Sequence, residues 1–453
     1  MASIAAPDVS RFGVLDRGST MLVMDRVTGR SVFMPRESAP LLRLLASERT
    51  ELPEALQPLR DGVLDELAVH GLGVEPERSA GALNTVILKL TTACNYACTY
   101  CYDKESDESA AHLSGDVALL ALEQALELCE GALQVIFHGG EPFLRFARIK
   151  EIVLAGEQMA YRSGKGLFFR GQTNLSLLTP ENIEFSNEHR IRWGFSLDGS
   201  AETNVFRTLR DGTATHANFE RALAAFPAFV RSCSVMATIT AANQSQLLEL
   251  SRYFHACGLR GWDWSLFQPI GRGRQSADFD VDLDLLIPSW NELFDAVIAG
   301  EFDGFAVTPV LKYAQNFIQG PGHNMCMRKD CGAARDLLSI SADGRIEACD
   351  CLDPRGPLSN LGHVGETTLQ EARDSGVART IRSRDVERSK CGSCIWLAVC
   401  GGSCLARSPG LHGVDEIECQ LALNAFDRVS SHLAASPRLA EYYRSCHGRA
   451  AAG

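Results

Sequence analysis

Apolar and polar positions repeat in two different rhythms along this chain, and the changes between them divide it. Near the N-terminus, Ser19–Asp25 and Arg30–Met34 read as strands, separated by Val27-Thr28-Gly29, a hairpin turn signal. Ala39–Ala46 and Leu59–His70 then place apolar residues at helical spacing. Gly71 is placed to cap the second helix, and Leu72-Gly73-Val74 follows as a short strand. Glu75–Gly81 (EPERSAG) is polar and rich in breakers, which marks a linker. Beyond it, Leu83–Leu90, Leu133–His138, Leu167–Gln172, Ile191–Leu197, Ser234–Thr240 and Trp262–Gln268 read as strands. Helical stretches such as Asp116–Glu130 and Asn218–Phe229 lie between them. Alternating strand and helix predicts an α/β domain of parallel strands with right-handed crossovers. Six such units suit an open (β/α)6 partial barrel, which gathers its functional residues at the C-terminal ends of the strands. The last part of the chain predicts one hairpin, Leu337–Ala348 turning at Asp343-Gly344, and a terminal helix over Ile417–Leu433. The expected domains are therefore residues 1–80, 81–305 and 306–453.

Composition narrows the function. The 453 residues allow about three domains at roughly 150 residues each. The 44 basic against 56 acidic side chains leave a net charge of −12. So acidic a chain has no general attraction for phosphate backbones, and no nucleic-acid partner is expected. No apolar run reaches the ~18–20 residues of a spanning helix, so no membrane partner is expected either. Met1–Pro7 lacks the basic and apolar regions of a signal peptide, which predicts a cytoplasmic protein. Sixteen cysteines then stand out, because ten of them fall between Cys326 and Cys446. Without an export signal, such clustering points to metal ligation rather than disulfides.

Cys94-Asn-Tyr-Ala-Cys98-Thr-Tyr-Cys101 follows the first barrel strand. Three thiolates at this spacing can wrap one corner of a 4Fe–4S cluster and leave the fourth iron open to a small molecule. The competing reading is a zinc knuckle, although structural zinc asks for four closed ligands. His138-Gly139-Gly140-Glu141-Pro142 ends the second strand, Thr173-Asn174-Leu175 the third, and Ser196-Leu197-Asp198-Gly199 the fourth. Taken alone, the GGEP is compatible with a tight turn.

Taken together, the CxxxCxxC loop with Tyr100 before its last cysteine, the GGEP, the TN and the SLDG resemble the radical S-adenosylmethionine (SAM) superfamily. Here Leu175 stands where that family's TNG motif has glycine. The resemblance implies that Cys94, Cys98 and Cys101 hold a SAM-binding 4Fe–4S cluster. It further implies that Tyr100, Gly139, Gly140, Glu141, Asn174, Ser196 and Arg207 contact SAM. The glycines admit backbone carbonyls to the SAM ammonium, and Ser196 and an arginine hold its carboxylate, with Arg210 as the rival to Arg207. The pair of SAM and cluster implies a 5′-deoxyadenosyl radical that abstracts hydrogen from substrate carbon.

The C-terminal cysteines, Cys331 to Cys349 and then Cys391-x2-Cys394-x5-Cys400-x3-Cys404 and Cys419, resemble the SPASM domain of radical SAM peptide-modifying enzymes. That resemblance implies two auxiliary 4Fe–4S clusters. One takes Cys326, Cys331, Cys349 and Cys404, and the other takes Cys391, Cys394, Cys400 and Cys419. Paired zinc ribbons are the alternative. Cys351, two residues past Cys349, is a spare thiol, a substitute ligand or a substrate-facing base. Asp350 and Asp353 are candidates for the base, but the sequence names no catalytic residue. Cys129, Cys233 and Cys257 read as packed small apolar residues and Cys446 as a free thiol.

The N-terminal order of hairpin, helix, helix resembles winged-helix, PqqD-like domains that recognise leader peptides by strand addition. A structural or dimerisation role is the alternative. The expected activity is maturation of a ribosomally made precursor peptide by oxidative intramolecular crosslinking, through a carbon–carbon, ether or thioether bond. A flavodoxin- or ferredoxin-type donor would supply electrons. The alternatives are a sulfatase-maturing enzyme that oxidises Cys or Ser to formylglycine, a peptide epimerase, and an iron–sulfur electron carrier.

Overall fold

The hydrophobic alternation near the N-terminus builds a three-stranded antiparallel meander, β1 (Phe12–Asp16), β2 (Thr20–Asp25) and β3 (Ser31–Pro35), in the order β1-β2-β3. The computed structural model of the chain describes residues 11–40, 42, 57–73, 81–103, 110–323 and 326–447. Strand β1 is an addition to the two strands expected. Its Gly13, Val14 and Leu15 pair with Met24, Val23 and Leu22. The second expected helix spans Gln57–Val69. Most of the first expected helix, Ala39–Ala46, lies outside the described residues, as do Val74 and all of the expected linker except Gly81. Leu72 and Gly73 form a turn and not the expected strand, and the Gly73 amide donates to the Asp25 carboxylate at 2.9 Å. Phe12, Met21, Val23, Met34, Leu67 and Leu72 make one buried cluster, so the helix closes the sheet's apolar face.

The six predicted barrel strands are all present: β4 (Thr85–Lys89), β5 (Ala132–His138), β6 (Gly166–Thr173), β7 (Arg192–Ser196), β8 (Ser234–Ile239) and β9 (Gly261–Leu266). Each pairs in parallel with the next, and a two-residue strand β10 (Ala306–Val307) extends the edge beyond β9. Helices Gly115–Leu128, Phe146–Ser163, Pro180–Glu188 and Leu247–Ala256 provide crossovers. The helix expected over Asn218–Phe229 is instead two, His216–Ala225 and Pro227–Ser232. Pro227 forbids helical geometry to the residue before it, and Phe226 takes φ −134° and ψ 54°.

The hairpin expected in the C-terminal block forms, as β11 (Leu337–Ile340) and β12 (Arg345–Glu347), but it joins the main sheet. β11 pairs in parallel with β4, placing Ser339 opposite Ile87, and β13 (Asn360–His363) closes the far edge. The result is an open ten-stranded sheet, in the order β10-β9-β8-β7-β6-β5-β4-β11-β12-β13. The reason is burial: all five residues of β4 are buried, and a strand covered on both faces needs hydrogen-bonding partners at both edges.

The chain divides into two compact units. One comprises Met1–Ser79, Val310–Cys331 and Asp385–Gly453, and the other Ala80–Pro309 and Gly332–Arg384. The first ends in the helices Glu416–Ala435 and Arg438–His447, the former covering the expected terminal helix. No helix among the described residues is long and apolar enough to cross a membrane.

Candidate functional site

The cysteine loop leaves β4 and is gripped from three strand ends. The Gly140 and Glu141 amides, after β5, donate to the carbonyls of Thr91 at 2.7 Å and Ala93 at 2.9 Å. After β7, the carbonyls of Thr208 and Phe206 accept from Ala97 and Thr99 at 2.7 and 3.0 Å. Beyond β9, the Arg272 amide donates to the Cys101 carbonyl at 2.9 Å. Only glycine fits the closest approaches. Gly139 has φ +108°, and a Cβ there would lie 2.6 Å from the Thr91 carbonyl oxygen, while one on Gly140 would collide with that of Ala93. Gly271, at φ +58°, leaves just enough room for the Cys101 and Tyr102 carbonyls.

Cys94, Cys98 and Cys101 are thereby brought to the C-terminal end of the sheet, each partly exposed. Burial pushes the Cys94 thiol up to about 11 and Cys101 to about 12 and raises Cys98, and the Cys98 sulfur raises the other two further. Three thiols that resist ionising beside one another suit a polycationic metal centre, which supplies the charge that stabilises thiolates. His138 Nδ1 and Gln268 Oε1, at the ends of β5 and β9, are buried polar atoms without a hydrogen-bond partner. Thiol donors, a glycine cradle and unsatisfied polar atoms together fit a 4Fe–4S cluster with a polar small molecule beside it.

Glu141 is 1% exposed, and its carboxylate accepts from the Thr173 hydroxyl at 2.7 Å, the Asn174 amide at 2.8 Å and the Phe143 amide at 3.0 Å. Burial pushes this carboxyl up to about 7 against those hydrogen bonds. Asn174 in turn donates to Asn95 Oδ1 at 2.9 Å, and its Nδ2 lies 4.0 Å from Cys94 Sγ. Glu141 and Asn174 therefore link β5 and β6 to the cysteine loop. Leu175, where glycine is the family pattern, takes φ +64° and is 2% exposed.

At the end of β7 the Tyr100 hydroxyl donates to Asp198 Oδ2 and accepts from Arg207 Nη1 at 2.7 Å. Asp198 Oδ1 also accepts from the Thr238 amide on β8 at 2.9 Å. Burial raises the Asp198 carboxyl, more than Arg207 and Tyr100 lower it. Arg207 is buried and belongs to this network, whereas Arg210 is exposed. Ser196 Oγ accepts from Gln172 at 2.9 Å. On the neighbouring strands, Trp264 is buried on β9 and Met236 is half-buried on β8.

A cation beside the Cys349 loop escaped sequence reasoning. Lys89 ends β4 and is 8% exposed, with its Nζ 2.8 Å from Asp103 and 3.2 Å from Glu347. Glu347 precedes Cys349 by two residues, and Asp103 follows Cys101 by two. Tyr102 donates to Asp350 Oδ2 at 3.2 Å, and the ligand atoms of Cys349, Asp350 and Cys351 lie within 4.8 Å of one another. Asp353 pairs with Arg274 at 2.6 Å. The available signal was a lysine ending an otherwise apolar run (TVILK), since a charge on a strand buried on both faces needs a partner.

Of the remaining cysteines, Cys391, Cys394, Cys400 and Cys419 all lie in the unit that contains the N-terminal meander. Cys391 and Cys394 flank a single turn, closed by the Cys394 amide on the Cys391 carbonyl at 3.0 Å. Cys400 ends the short helix Leu397–Cys400, and Cys419 lies in the first turn of Glu416–Ala435. Burial raises the Cys394, Cys400 and Cys419 thiols, and the Cys391 sulfur raises each further. Four thiols centred on the Cys391 sulfur fit a closed cluster. Cys326, Cys331 and Cys404 belong to the same unit and Cys349 to the other.

Residues 88–254 match the family model of the Radical SAM superfamily. The chain is 23% identical over 342 residues to a cysteine-type anaerobic sulfatase-maturating enzyme of Clostridium perfringens, covering 71% of this chain and 88% of that one. It is 24% identical over 358 residues to an AdoMet-dependent heme synthase of Nitratidesulfovibrio vulgaris, covering 72% and 88%. Among solved structures it resembles anSMEcpe with bound AdoMet (TM-score 0.69, 19% identity, 81% of this chain and 99% of that one). It also resembles Streptococcus suis SuiB bound to precursor peptide SuiA (TM-score 0.55, 16% identity, 91% and 99%). With its cysteine loop and glycine cradle set at the strand ends of an open parallel sheet, this chain is a radical SAM enzyme.

Proposed function

We propose that this enzyme matures a ribosomally made precursor peptide by forming an intramolecular carbon–carbon, ether or thioether crosslink. The observation that carries the reading is the meander β1–β3, which stands in the chain in addition to the barrel and the cysteine-rich segments. A sheet edge of this kind can add a leader peptide as a further strand. The likeness to SuiB, a structure bound to its precursor peptide, covers 91% of this chain and supports the same reading. In it, the winged-helix-like domain takes the leader, and the C-terminal cysteines form a SPASM domain.

In this reading Cys94, Cys98 and Cys101 hold the SAM-binding cluster. Cys326, Cys331, Cys349 and Cys404 hold one auxiliary cluster, and Cys391, Cys394, Cys400 and Cys419 the other. When bound, cluster and SAM supply a 5′-deoxyadenosyl radical to the substrate. The chain's own residues orient and exclude. Carbonyls of Gly139 and Gly140 meet the SAM ammonium, while Ser196 and Arg207 meet its carboxylate. Tyr100, Glu141 and Asn174 keep the cysteine loop and Arg207 in register with SAM. Asp350, its carboxylate steered by the Tyr102 hydroxyl, takes the proton that leaves the substrate during bond formation. Held by these cysteines, an auxiliary cluster would offer an electron acceptor for a two-electron oxidation, with a flavodoxin- or ferredoxin-type protein as the external donor.

The second reading is oxidation of a protein Cys or Ser to formylglycine. It is favoured by the sulfatase-maturating relative, whose alignment covers 71% of this chain, and it leaves the meander without a task. One experiment separates the two. Anaerobically reconstituted protein is given SAM, a reductant and the short peptide encoded beside its gene, and 5′-deoxyadenosine and peptide mass are followed. Crosslinking predicts a loss of about two mass units per event, absent in Cys98→Ala. Cleaved SAM with an unchanged peptide would reject this substrate and move weight to the second reading or to epimerisation.

A further inference from the structure

The hairpin turn between β2 and β3 is built with unusual care for a solvent-facing turn. Asp25 is fully buried, and its carboxylate accepts from the amides of Val27 at 2.9 Å, Thr28 at 3.3 Å and Gly73 at 2.9 Å. Arg11 adds a charged donor at 3.0 Å. These bonds hold the Asp25 carboxyl below its ordinary range, against the effect of burial. A turn so fixed presents its next residue, Arg26, in one place. The Arg26 guanidinium donates to the Gly392 carbonyl, between Cys391 and Cys394.

Three further contacts from the same sheet land on the same short segment. Gly13 on β1 lies against Ile395, closely enough that any Cβ would collide with that side chain. The Arg17 guanidinium sits 5.8 Å from the Trp396 ring centroid and 2.8 Å from Asp427 on the helix that carries Cys419. Gly29 packs beside Val399 and Pro321, where a Cβ would lie 3.1 and 2.9 Å away. The sheet therefore touches residues 392, 395, 396 and 399, which alternate with Cys391, Cys394 and Cys400 along the chain.

We propose that the N-terminal sheet is the outer wall of the metal centre held by Cys391, Cys394, Cys400 and Cys419, and that Arg26 is its positioning cation. The inference rests on the reading above that these four thiolates bind a cluster. Cluster potential depends on net charge, hydrogen bonding and solvent access around the sulfurs. Reduction adds negative charge, so a fixed guanidinium beside the Cys391–Cys394 turn favours the reduced form. Lys390, paired with Glu416, is a further cation beside this group and hydrogen-bonds to Cys419. The sheet proposed to take a peptide at its edge thus touches the segment that carries Cys391, Cys394 and Cys400.

The test uses the full-length protein reconstituted with iron and sulfide. Cys94, Cys98 and Cys101 are replaced by Ala so that only auxiliary clusters report. Iron content is measured first, then midpoint potentials by EPR-monitored titration for the parent, Arg26→Gln, Arg26→Lys and Val27→Glu. Arg26→Gln should shift one auxiliary midpoint negative by about threefold to tenfold in the reduction equilibrium, ~28–59 mV for one electron. Arg26→Lys should restore most of that shift. Val27 is 48% exposed in the same turn, so Val27→Glu tolerates the change and should move the same midpoint negative by less. It also keeps the test open should Arg26→Gln fail to fold. Full iron with unmoved midpoints in Arg26→Gln or Val27→Glu, or an equal shift in Arg26→Lys, would overturn the role of Arg26 alone. A Cys94/Cys98/Cys101→Ala parent that takes up no iron, where two clusters would take ~8 atoms, would overturn the auxiliary-cluster reading and this inference with it.

Discussion

The Lys89 ammonium lies 3.2 Å from the Glu347 carboxylate, so the end of β4 is tied to the strand that leads into Cys349. The same nitrogen is 2.8 Å from Asp103, just past Cys101, and 3.5 Å from the Asp350 carbonyl. One buried cation thus spans two cysteine-bearing loops. Burial works against its charge, yet Asp103, Glu347 and Asp350 hold its pKa above the ordinary value. Lys89→Met should leave Asp103 without its cation and Glu347 with Arg345 alone, and cost about 3 kcal/mol. Lys89→Arg should retain more than half of the stability, and urea midpoints of the two variants check this. Equal loss in both would mean that packing, and not charge, sets the requirement.

Tyr100 stands between Asp198 and Arg207, so its hydroxyl is the joint of that network. Tyr100→Phe removes the joint without emptying volume. It should cost about 1–3 kcal/mol of stability, because two charged groups lose a shared partner. SAM affinity should weaken by about tenfold as Arg207 loses its fixed position, that is by about 1.4 kcal/mol. Arg207→Ala should weaken it further. Equilibrium SAM binding to reconstituted protein measures both, and wild-type affinity in Tyr100→Phe would remove Arg207 from the SAM site.

Glu141 makes stability depend on pH with a defined sign. Burial pushes its carboxyl up to about 7 in the folded chain, from 4.5. A folded pKa above the unfolded one favours the protonated form in the native state. The contribution is therefore complete below pH 4.5 and is lost as pH rises through about 7. Over that window it amounts to about 3 kcal/mol at 1.36 kcal/mol per unit. Glu141→Gln should flatten this part of the pH profile of apoprotein unfolding, measured in urea under anaerobic conditions. An unchanged slope in the variant would assign the dependence to another group.

Leu175 combines a left-handed backbone with a buried side chain. The strain costs about 1–2 kcal/mol, whereas emptying a buried leucine site costs about 2–5 kcal/mol, so burial wins and leucine is retained. Leu175→Ala forfeits the burial and keeps the strain. Leu175→Gly forfeits the burial but relieves the strain, so glycine should be the more stable of the two by about 1 kcal/mol, the reverse of their order in a helix. Thermal or urea unfolding of the pair decides it.

Much of the site could be read from the chain because its chemistry is local. The CxxxCxxC loop places three thiols within eight residues, and GGEP, TN and SLDG each close a strand whose apolar run is itself visible. The structure brings all four to one end of the sheet, as parallel strands joined by crossovers require. Lys89 was less legible. A terminal lysine in an apolar run is a weak signal, and its partners Asp103 and Glu347 stand 14 and 258 positions away. Glu141 and Asn174 were legible as site residues through their motifs. That they bond to one another and to Asn95 was not, because those contacts cross from β5 to β6 and back to the loop after β4.

Sequence alone thus determined the parts whose physics is contained in a short window: strand and helix periods, the glycine turns, and the thiolates able to ligate iron. Tertiary structure decided what depends on edges and surfaces meeting across long stretches of chain. The pairing of Leu337–Ile340 with β4 followed from a buried strand edge that needed hydrogen bonds, and no local pattern names which distant run will supply them. The seating of the N-terminal meander on Gly392, Ile395, Trp396 and Val399 followed from complementary shape, with glycines opposite large side chains. Hydrophobic periodicity records that a face is buried but not what buries it, and that choice is made only when the whole chain has packed.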